Sequence, residues 1–311
     1  MKAVRIYSFG GPEVMKLDDL PIPAPGPDDV LIRVEAAGVN PVDYKIRAGK
    51  FKPAGLQTPL TLGRDVAGVV EQTGRNVRQF NSGDPVYALV DRDSGGYAEY
   101  VLVRADRVVP KPTKLDFLTA AGVPLAGLTA WQGLFDHGKL QAGERVLIHG
   151  AAGGVGHLAV QFAKDRGAYV IATARAEDRE LLRKWGADEV IDYKNERFDE
   201  MVRDVDLVLD LVGGETQHRS WKCLREGGRL VSTLQPPSET EAAQRHATGA
   251  IFMVEPSQPE LTRIAQLIDG GKVSVLVQRT YPLAEARQAH EYLEHEHVRG
   301  KVVLSVRHPK R

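Results

Sequence analysis

The sequence predicts an α/β protein with two differently built parts, a β-rich N-terminal part and a doubly wound parallel sheet. Short apolar runs at even spacing, separated by Gly, Pro, Asp and Asn, fill residues 1–120. From residue 145 to residue 255, strand-like runs instead alternate with helix-like runs, which is typical of a parallel sheet covered by helices. The length of 311 residues also favours two domains over one.

The composition excludes several classes of protein. Lys and Arg total 41, as do Asp and Glu, so a nucleic-acid or membrane-surface protein with its usual basic excess is disfavoured. Cys223 is the one cysteine and excludes an intramolecular disulfide and a multi-cysteine metal site; we expect it to be an inert core residue. No apolar run reaches membrane-spanning length, and residues 1–6 lack the apolar core of a signal peptide. We therefore expect a cytoplasmic protein.

The β-rich part has five predicted strands, which we expect to form a small barrel or sandwich. They are Val4–Tyr7, Asp29–Ala36, Val66–Thr73, Pro85–Leu89 and Tyr97–Val103. Helices are predicted at Asp116–Gly122 and Leu125–Leu134.

The second part has six predicted strands, which suit two mononucleotide-binding halves. The strands are 146–149, 169–173, 189–192, 206–211, 229–234 and 250–254, and the helices are 155–166, 177–185, 196–202 and 216–224. The tail contributes Glu260–Asp269, Val273–Gln278, Leu283–Glu294 and Lys301–Val306 as helix, strand, helix and strand. We expect this tail to pack on the first part rather than extend the parallel sheet.

The glycine-rich stretch Val146–Gly156 carries the strongest motif. An apolar strand meets a turn in which Ala151, Gly153 and Gly156 occupy the three fixed positions of G-x-G-x-x-G, and a helix-like run follows. Glycines let the backbone approach a pyrophosphate at the helix N-terminus. A plain tight turn is the alternative, but the strand at Tyr169–Thr173 completes a βαβ unit and favours a dinucleotide-binding Rossmann domain.

Several stretches together resemble the medium-chain dehydrogenase/reductase superfamily, in particular its zinc-independent quinone oxidoreductase branch. They are Gly38–Asp43, Leu62–Gly68, Gly96–Tyr100, the Ala-Ala-Gly-Gly-Val-Gly turn and Arg299–Leu304. The resemblance implies a GroES-like catalytic domain at 1–122, a Rossmann domain at 123–256 and a C-terminal segment, 257–311, that returns to the catalytic domain. It also implies a catalytic cleft between the domains and a homodimer.

The same resemblance implies that no metal is bound. Zinc-dependent alcohol dehydrogenases carry Cys at the place of Asn40 and a His-Glu pair at the place of Arg64 and Asp65. A guanidinium has no lone pair to offer a metal, and an amide is a poor zinc ligand. Asp43 could ligate a metal, but one carboxylate does not make a site.

NADPH is the predicted cofactor. NAD enzymes of this fold place an acidic residue at the end of the second strand, where this chain has Arg175, with Arg179 four residues on. A guanidinium can instead pair with a 2′-phosphate; the alternative is a solvated Arg at a charged helix start. The resemblance adds Tyr193 and Thr129, although Thr129 could simply bond its own helix backbone. The full set is Thr129, Gly150, Ala151, Ala152, Gly153, Gly154, Val155, Gly156, Thr173, Arg175, Arg179, Tyr193, Leu234 and Phe252.

The catalytic candidates are Asn40, Asp43, Tyr44 and Lys45. Without zinc, hydrogen-bond donors must stabilise charge on the substrate oxygen, and this stretch offers an amide, a phenol and an ammonium. The alternative for Tyr44 and Lys45 is a surface helix, while Asp43 is expected to orient neighbours or cap a helix. Outside this set, Tyr97 and Tyr100 are expected to pack the barrel, and His290, His295 and His297 to lie on a solvated helix face.

These observations predict an NADPH-dependent reductase of small-molecule quinones or α,β-unsaturated carbonyls. An enone or alkenal reductase without quinone activity shares the same mechanism and stays open. The non-enzyme alternative is an NADPH-binding structural protein of the crystallin kind. The intact turn and Arg175 argue against a purely structural role, because a scaffold needs neither.

Overall fold

The computed structural model describes residues 1–53, 55–91 and 94–307 and divides the chain into two compact units. Unit 1 comprises residues 1–125, 256–269 and 275 onwards; unit 2 comprises residues 126–255 and 270–274. Among the described residues, no helix combines the length and the apolar character needed to cross a membrane.

Unit 1 is built from three-stranded and seven-stranded sheets. Its strands are β1 (Lys2–Ile6), β2 (Met15–Asp19), β3 (Asp29–Val39), β4 (Leu60–Thr61), β5 (Asp65–Thr73), β6 (Pro85–Leu89), β7 (Tyr100–Arg104), β8 (Val108–Pro110), β15 (Val277–Pro282) and β16 (Lys301–Ser305). The smaller sheet has the order β2-β1-β4; the larger runs β15-β16-β3-β5-β6-β8, with β7 also paired to β3. Strand β3 is the long central strand, and its side chains Val30, Leu31, Ile32 and Val34 lie in the core.

The tail completes this larger sheet, because β16 pairs antiparallel with β3 through Val302 opposite Val39. Unit 1 also holds the helices α1 (Pro41–Arg47), α2 (Phe117–Ala121), α9 (Gln258–Asp269) and α10 (Ala286–His295). The short strands β2, β4 and β8 are not among the predicted elements, and α1 corresponds to the helix considered as an alternative for Tyr44 and Lys45. Strand β7 begins three residues later than predicted, because the backbone of Tyr97 instead bonds Leu62 and Val4.

Unit 2 is a six-stranded parallel sheet with the order β11-β10-β9-β12-β13-β14. Its strands are β9 (Arg145–Ile148), β10 (Tyr169–Ala174), β11 (Glu189–Asp192), β12 (Val205–Asp210), β13 (Leu224–Ser232) and β14 (Thr248–Ile251). This is the doubly wound order, in which the direction of winding reverses between β9 and β12. Ligands of such sheets bind beyond the carboxyl ends of the strands at that reversal.

The helices of unit 2 alternate with its strands as predicted, except that the helix at Glu239–Gln244 is not among the predicted helices. They are α3 (Pro124–Trp131, whose first two residues belong to unit 1), α4 (Gly156–Asp165), α5 (Arg179–Lys184), α6 (Phe198–Met201), α7 (Gly214–Ser220) and α8 (Glu239–Gln244). A π-helical turn, Gln132–His137, continues α3.

One part of the tail does not return to unit 1. Residues 270–274 belong to unit 2, because the side-chain amide of Gln161 donates to the carbonyl of Ser274 at 2.9 Å and accepts from its amide N–H at 2.8 Å. The strand predicted at Val273–Gln278 therefore begins only at Val277.

Candidate functional site

The glycine-rich turn lies between the end of β9 and the start of α4. Gly150 has φ +65°, a conformation that favours glycine. A Cβ on Gly156 would lie 2.2 Å from the Gly150 carbonyl oxygen and 2.6 Å from Ala151 Cα. The start of α4 can therefore pack this closely against the turn only because residue 156 has no side chain. A Cβ on Gly153 would meet only the Gly150 carbonyl oxygen, at 3.3 Å.

Backbone groups of this turn are available to an anion. The amide N–H groups of Gly154 and Val155 donate to no residue in the described part of the chain. They directly precede the ten-residue helix α4, whose N-terminus favours negative charge. The Gly153 carbonyl accepts hydrogen bonds from both the backbone N–H and the Nδ1 of His157, at 3.0 and 3.1 Å. Hydrogen bonds from His157 thus hold the Gly153 carbonyl in place, while the N–H groups of Gly154 and Val155 donate to no described residue.

His149 braces the turn from inside the sheet, a role that the sequence did not predict. Ser220 Oγ donates to the Thr216 carbonyl at 2.6 Å, so His149 Nε2–H must donate to Ser220 Oγ, at 2.9 Å. His149 Nδ1 then accepts from Thr173 Oγ1 at 2.9 Å. Burial lowers the pKa of His149 to about 4, which keeps the ring neutral at neutral pH.

Thr173 connects this brace to the turn. Its carbonyl accepts from the Ala151 N–H at 3.2 Å, and its buried hydroxyl is engaged by His149. Ala152 and Ala151 are both buried within the turn.

The loop after β12 abuts the turn at the reversal of the sheet. Asp210 Oδ1 accepts from the N–H groups of Val212 and Gly213, at 3.0 and 2.8 Å. Its Oδ2 accepts from Gln217 Nε2 at 3.0 Å and from Ser232 Oγ at 2.9 Å. The carboxylate is completely buried and therefore fixes the loop rather than meeting a ligand.

An open pocket of about 420 Å³ lies at the ends of β10 and β11. Its lining comprises Arg175, Ala176, Glu177, Asp192, Lys194 and Asn195. Arg175 is partly exposed; its Nε donates to Tyr193 Oη at 3.4 Å, and its Nη1 lies 3.8 Å from Glu177 Oε1. The Asn195 amide donates to Asp192 at 2.6 Å and holds the pKa of that carboxyl below its usual value. Two cations and two carboxylates thus line the pocket.

Arg179 does not line this pocket with Arg175. Its Nη2 forms an ion pair with Glu196 Oε2 at 3.5 Å. Glu196 is held there because the same oxygen accepts from the Asp192 N–H at 2.6 Å. Lys194 is instead the second cationic residue that lines the pocket, and its position directly after Tyr193 is the sequence signal for it.

The remaining cofactor candidates of unit 2 divide into exposed and buried side chains. Leu234 is 41% exposed beyond the end of β13. Phe252 is buried and stacks on His137 with ring centroids 4.5 Å apart, so its ring packs against the π-helical turn. Thr129 is buried in α3.

In unit 1, Asn40, Asp65 and Lys301 form a buried triangle, here called the Lys301 cluster. Asn40 Nδ2 donates to Asp65 Oδ2 at 2.8 Å, and Lys301 Nζ donates to Asn40 Oδ1 and lies 3.6 Å from Asp65 Oδ2. Burial raises the pKa of Asp65, although the charge of Lys301 acts in the opposite direction. Burial also lowers the pKa of Lys301. The side-chain amide of Asn40, which the sequence predicts to face a substrate, thus forms hydrogen bonds within the cluster through both its nitrogen and its oxygen.

A second polar chain starts at Asp43, three residues into α1. Asp43 Oδ2 accepts from the Asn40 N–H at 2.8 Å, which caps the helix, and from Tyr97 Oη at 2.9 Å. Because Arg47 Nη1 can only donate to His290 Nδ1, at 3.3 Å, His290 Nε2–H donates to Tyr97 Oη, at 3.2 Å. Burial raises the pKa of Asp43 to about 7 and lowers that of His290 to about 3.

The expectation that His290 lies on a solvated helix face is therefore wrong. Its side chain is fully buried, because α10 packs this residue against unit 1 beside Arg47, whose Nη2 pairs with Glu294 at 2.9 Å. Tyr97 lies in the core, as expected, but its hydroxyl also joins Asp43 to His290. In unit 2, Cys223 is a buried thiol whose pKa burial raises to about 12, as expected of an inert core residue.

Tyr44 and Lys45 are the half-buried donors of α1. Neither side chain forms a hydrogen bond with a residue in the ranges that the structure covers. Partial burial raises the pKa of the Tyr44 phenol and lowers that of the Lys45 ammonium. These two groups, unlike Asn40 and Asp43, have donor capacity to spare.

Known proteins resemble the chain over nearly its whole length. Residues 26–113 match the alcohol dehydrogenase GroES-like domain family, and residues 185–304 match the zinc-binding dehydrogenase family. Quinone oxidoreductase of Mus musculus is 36% identical, with 98% of this chain and 97% of that protein covered. The chloroplastic NADPH-dependent alkenal/one oxidoreductase of Arabidopsis thaliana is 37% identical, with 98% and 79% covered. The structure of Escherichia coli quinone oxidoreductase complexed with NADPH superposes with a TM-score of 0.89 at 30% identity, covering 98% of this chain and all of that one (100%).

Proposed function

The chain belongs to the medium-chain dehydrogenase/reductase superfamily, and from this membership we propose that it is an NADPH-dependent oxidoreductase whose hydride acceptors are quinones or α,β-unsaturated carbonyls. The observation that carries the proposal is the turn of unit 2. The N–H groups of Gly154 and Val155, which donate to no described residue, precede α4 there, at the reversal point of a doubly wound sheet. Backbone donors in that place suit a pyrophosphate.

The pocket at Arg175 supports the choice of NADPH over NADH. A 2′-phosphate there would meet the Arg175 guanidinium and the Lys194 ammonium, while Tyr193 Oη holds the arginine in place. Glu177 lines the same pocket and weakens the preference, but it lies 3.8 Å from Arg175 and its pairing is loose. Asp192 is already engaged by Asn195. We therefore expect a preference for NADPH that depends chiefly on Arg175.

The proposed reaction proceeds without zinc. The residues of the Lys301 cluster do not fit a divalent metal, because the Asn40 carbonyl oxygen and Asp65 Oδ2 face the Lys301 ammonium. The neighbouring Arg64 offers a guanidinium, which donates to the Val90 carbonyl at 2.7 Å and has no lone pair for a metal. Exhaustive chelation should leave turnover unchanged, and stoichiometric zinc tied to activity would contradict this part of the proposal.

The protein's task in such a reaction is orientation and charge stabilisation. NADPH supplies the hydride when bound. Tyr44 and Lys45 are proposed to donate hydrogen bonds to the acceptor oxygen, because their donors are not engaged by described residues. Asn40 and Asp43 are proposed to hold α1, because their polar atoms are engaged within unit 1.

Two acceptor classes remain; the mouse quinone oxidoreductase is among the relatives that support the first, and the plant alkenal/one oxidoreductase supports the second. The test is steady-state oxidation of NADPH, with NADH in parallel, against a panel of quinones, enones and alkenals. Turnover of quinones supports the first class, and turnover of enones alone supports the second. Tight NADPH binding without oxidation by any acceptor would favour the structural-protein alternative.

We also propose a homodimer. Strand β14 is an outer strand of the parallel sheet and pairs with β13, and its residues Thr248, Gly249 and Ile251 are exposed. Such an edge offers backbone donors and acceptors to a second copy. Light scattering coupled to gel filtration should give twice the mass of the chain; a concentration-independent monomer would contradict this.

A further inference from the structure

The Lys301 cluster brings together charged and polar side chains from distant parts of the sequence. Asn40 precedes α1, Asp65 begins β5 and Lys301 begins β16, and their exposures are 1%, 0% and 3%. An ammonium in such a place is costly unless it is paired and hydrogen-bonded. Here Asn40 supplies the hydrogen bond and Asp65 the opposite charge.

Two glycines make room for the charged pair. A Cβ on Gly38 would lie 2.8 Å from Asp65 Oδ2, so a side chain at that position would collide with the carboxylate. A Cβ on Gly122 would lie 3.2 Å from Lys301 Cγ, so the aliphatic stem of the lysine runs over a bare backbone. The carboxylate and the stem are each fitted closely against backbone.

Asp65 also connects the cluster to the first turn of α3. Its Oδ1 accepts from the Leu125 N–H at 2.6 Å, a donor that the helix itself leaves unsatisfied. Asp65 thus receives hydrogen bonds from Leu125 and Asn40 and faces the Lys301 ammonium. Removal of the ammonium would leave a buried carboxylate with neutral donors only.

We propose, building on the proposed function, that Lys301 is a positioning residue whose ammonium supplies the fixed positive charge that a metal ion would otherwise supply in this unit. The ammonium holds the Asn40 side chain, at the start of the helix that carries Tyr44 and Lys45. Through Asp65 it holds the first turn of α3. A tethered cation of this kind needs no metal and cannot be removed by chelation.

The test separates positioning from simple stabilisation. Lys301→Met removes the ammonium, Asp65→Asn removes the carboxylate, and the double variant removes both charges with little change in shape. Breaking a buried pair leaves one unpaired charge, whereas removing both charges restores stability. Lys16→Met, at an exposed lysine of the same unit, is the matched control. For each variant, Tm, kcat and the KM for NADPH are measured with an acceptor that the wild type turns over.

The double variant decides the question even if Lys301→Met fails to fold. We expect the double variant to regain the wild-type Tm, while its kcat stays below the wild-type value by on the order of 10- to 100-fold. A loss of that size can follow when catalytic groups are misplaced by about 1 Å. The KM for NADPH should change little, because the proposed cofactor contacts lie in unit 2. Recovery of kcat together with Tm would show that the pair only stabilises the fold and would overturn the proposal. A wild type inactive on every acceptor would instead refute the proposed function.

Discussion

Two glycines of the turn allow cofactor binding and folding to be perturbed separately with the same substitution. Gly153→Val adds a side chain whose Cβ meets one carbonyl oxygen at 3.3 Å, which a shift of a few tenths of an ångström relieves. Gly156→Val puts its Cβ 2.2 Å from the Gly150 carbonyl oxygen and 2.6 Å from Ala151 Cα. Both neighbours are backbone, so they cannot move without displacing the turn.

The expected magnitudes differ accordingly. Overpacking typically costs about 1–3 kcal/mol, and about 2–4 °C of Tm is lost per kcal/mol in a domain of this size. Gly156→Val should therefore melt about 2–12 °C below the wild type. Gly153→Val should melt near the wild type but hold a branched side chain where the pyrophosphate would approach. If hydrogen bonds from Gly154 and Val155 are lost, at about 1.5–3 kcal/mol each, NADPH affinity falls by at least about 100-fold.

The assay pairs thermal unfolding without ligand with equilibrium titration of NADPH by fluorescence. A folded Gly153→Val variant that binds NADPH with the wild-type Kd would remove the turn from the cofactor site. A Gly156→Val variant that melts like the wild type would show that the geometry of the turn has been misjudged.

Three further predictions concern the cofactor pocket and unit 1. Arg175→Asp should lower kcat/KM for NADPH by about 10- to 100-fold, the value of one charge-assisted hydrogen bond, and change that for NADH little. Arg179→Gln is the control, because Arg179 does not line the pocket, and this variant should keep the preference for NADPH over NADH. Equal use of NADPH and NADH by the wild type would refute the assignment of the Arg175 pocket to the 2′-phosphate. Tyr44→Phe should lower kcat with enones more than with quinones and leave the KM for NADPH unchanged. Wild-type turnover of this variant on every acceptor would show that Tyr44 is a surface helix residue without a catalytic role. Asp43, with its pKa raised to about 7, makes the folded state bind more protons than the unfolded chain between about pH 4 and 7, so its contribution to stability falls as pH rises. His290, with its pKa lowered to about 3, has the opposite slope between about pH 3 and 6.5, so the two slopes offset each other in the wild type. Asp43→Asn should therefore lose stability on acidification, by up to about 1.4 kcal/mol per pH unit, and His290→Gln should gain it; urea unfolding at several pH values measures both, and parallel profiles for all three proteins would contradict the assignment.

The doubly wound sheet could be predicted because its signals are local. Strands β9, β10 and β12 each contain a short apolar run, at Val146–Ile148, Val170–Ala172 and Leu207–Leu209. The glycine of the turn motif at Gly156 is visible in the sequence, and the structure supplies its steric reason. The side-chain pairings could not be predicted in the same way. Arg179 has acidic neighbours on both sides along the chain, yet its partner is Glu196, brought close by the turn after β11.

Two buried polar residues, His290 and Lys301, have a sequence signal for their burial. His290 shares a helix face with Ala286, Ala289 and Leu293, at the spacing of a buried stripe. Lys301 directly precedes the buried apolar run Val302–Leu304. What no pattern in one sequence could supply is the identity of their partners, because Arg47 and Asn40 lie more than 200 residues away (243 and 261).

The placement of β16 has a consequence for synthesis on the ribosome. Strand β16 lies between β15 and β3 inside the seven-stranded sheet, although it follows all the other described strands in the sequence and is therefore translated after them. Nearly all of unit 2 has by then emerged as one continuous stretch and can begin to fold, since domains generally fold as units. Until β16 has been translated, β3 lacks its pairing partner at residues 36–39, and the Asp65 carboxylate lacks the Lys301 ammonium. Premature termination before β16 would therefore release a chain with one unit formed and the other open to aggregation or proteolysis.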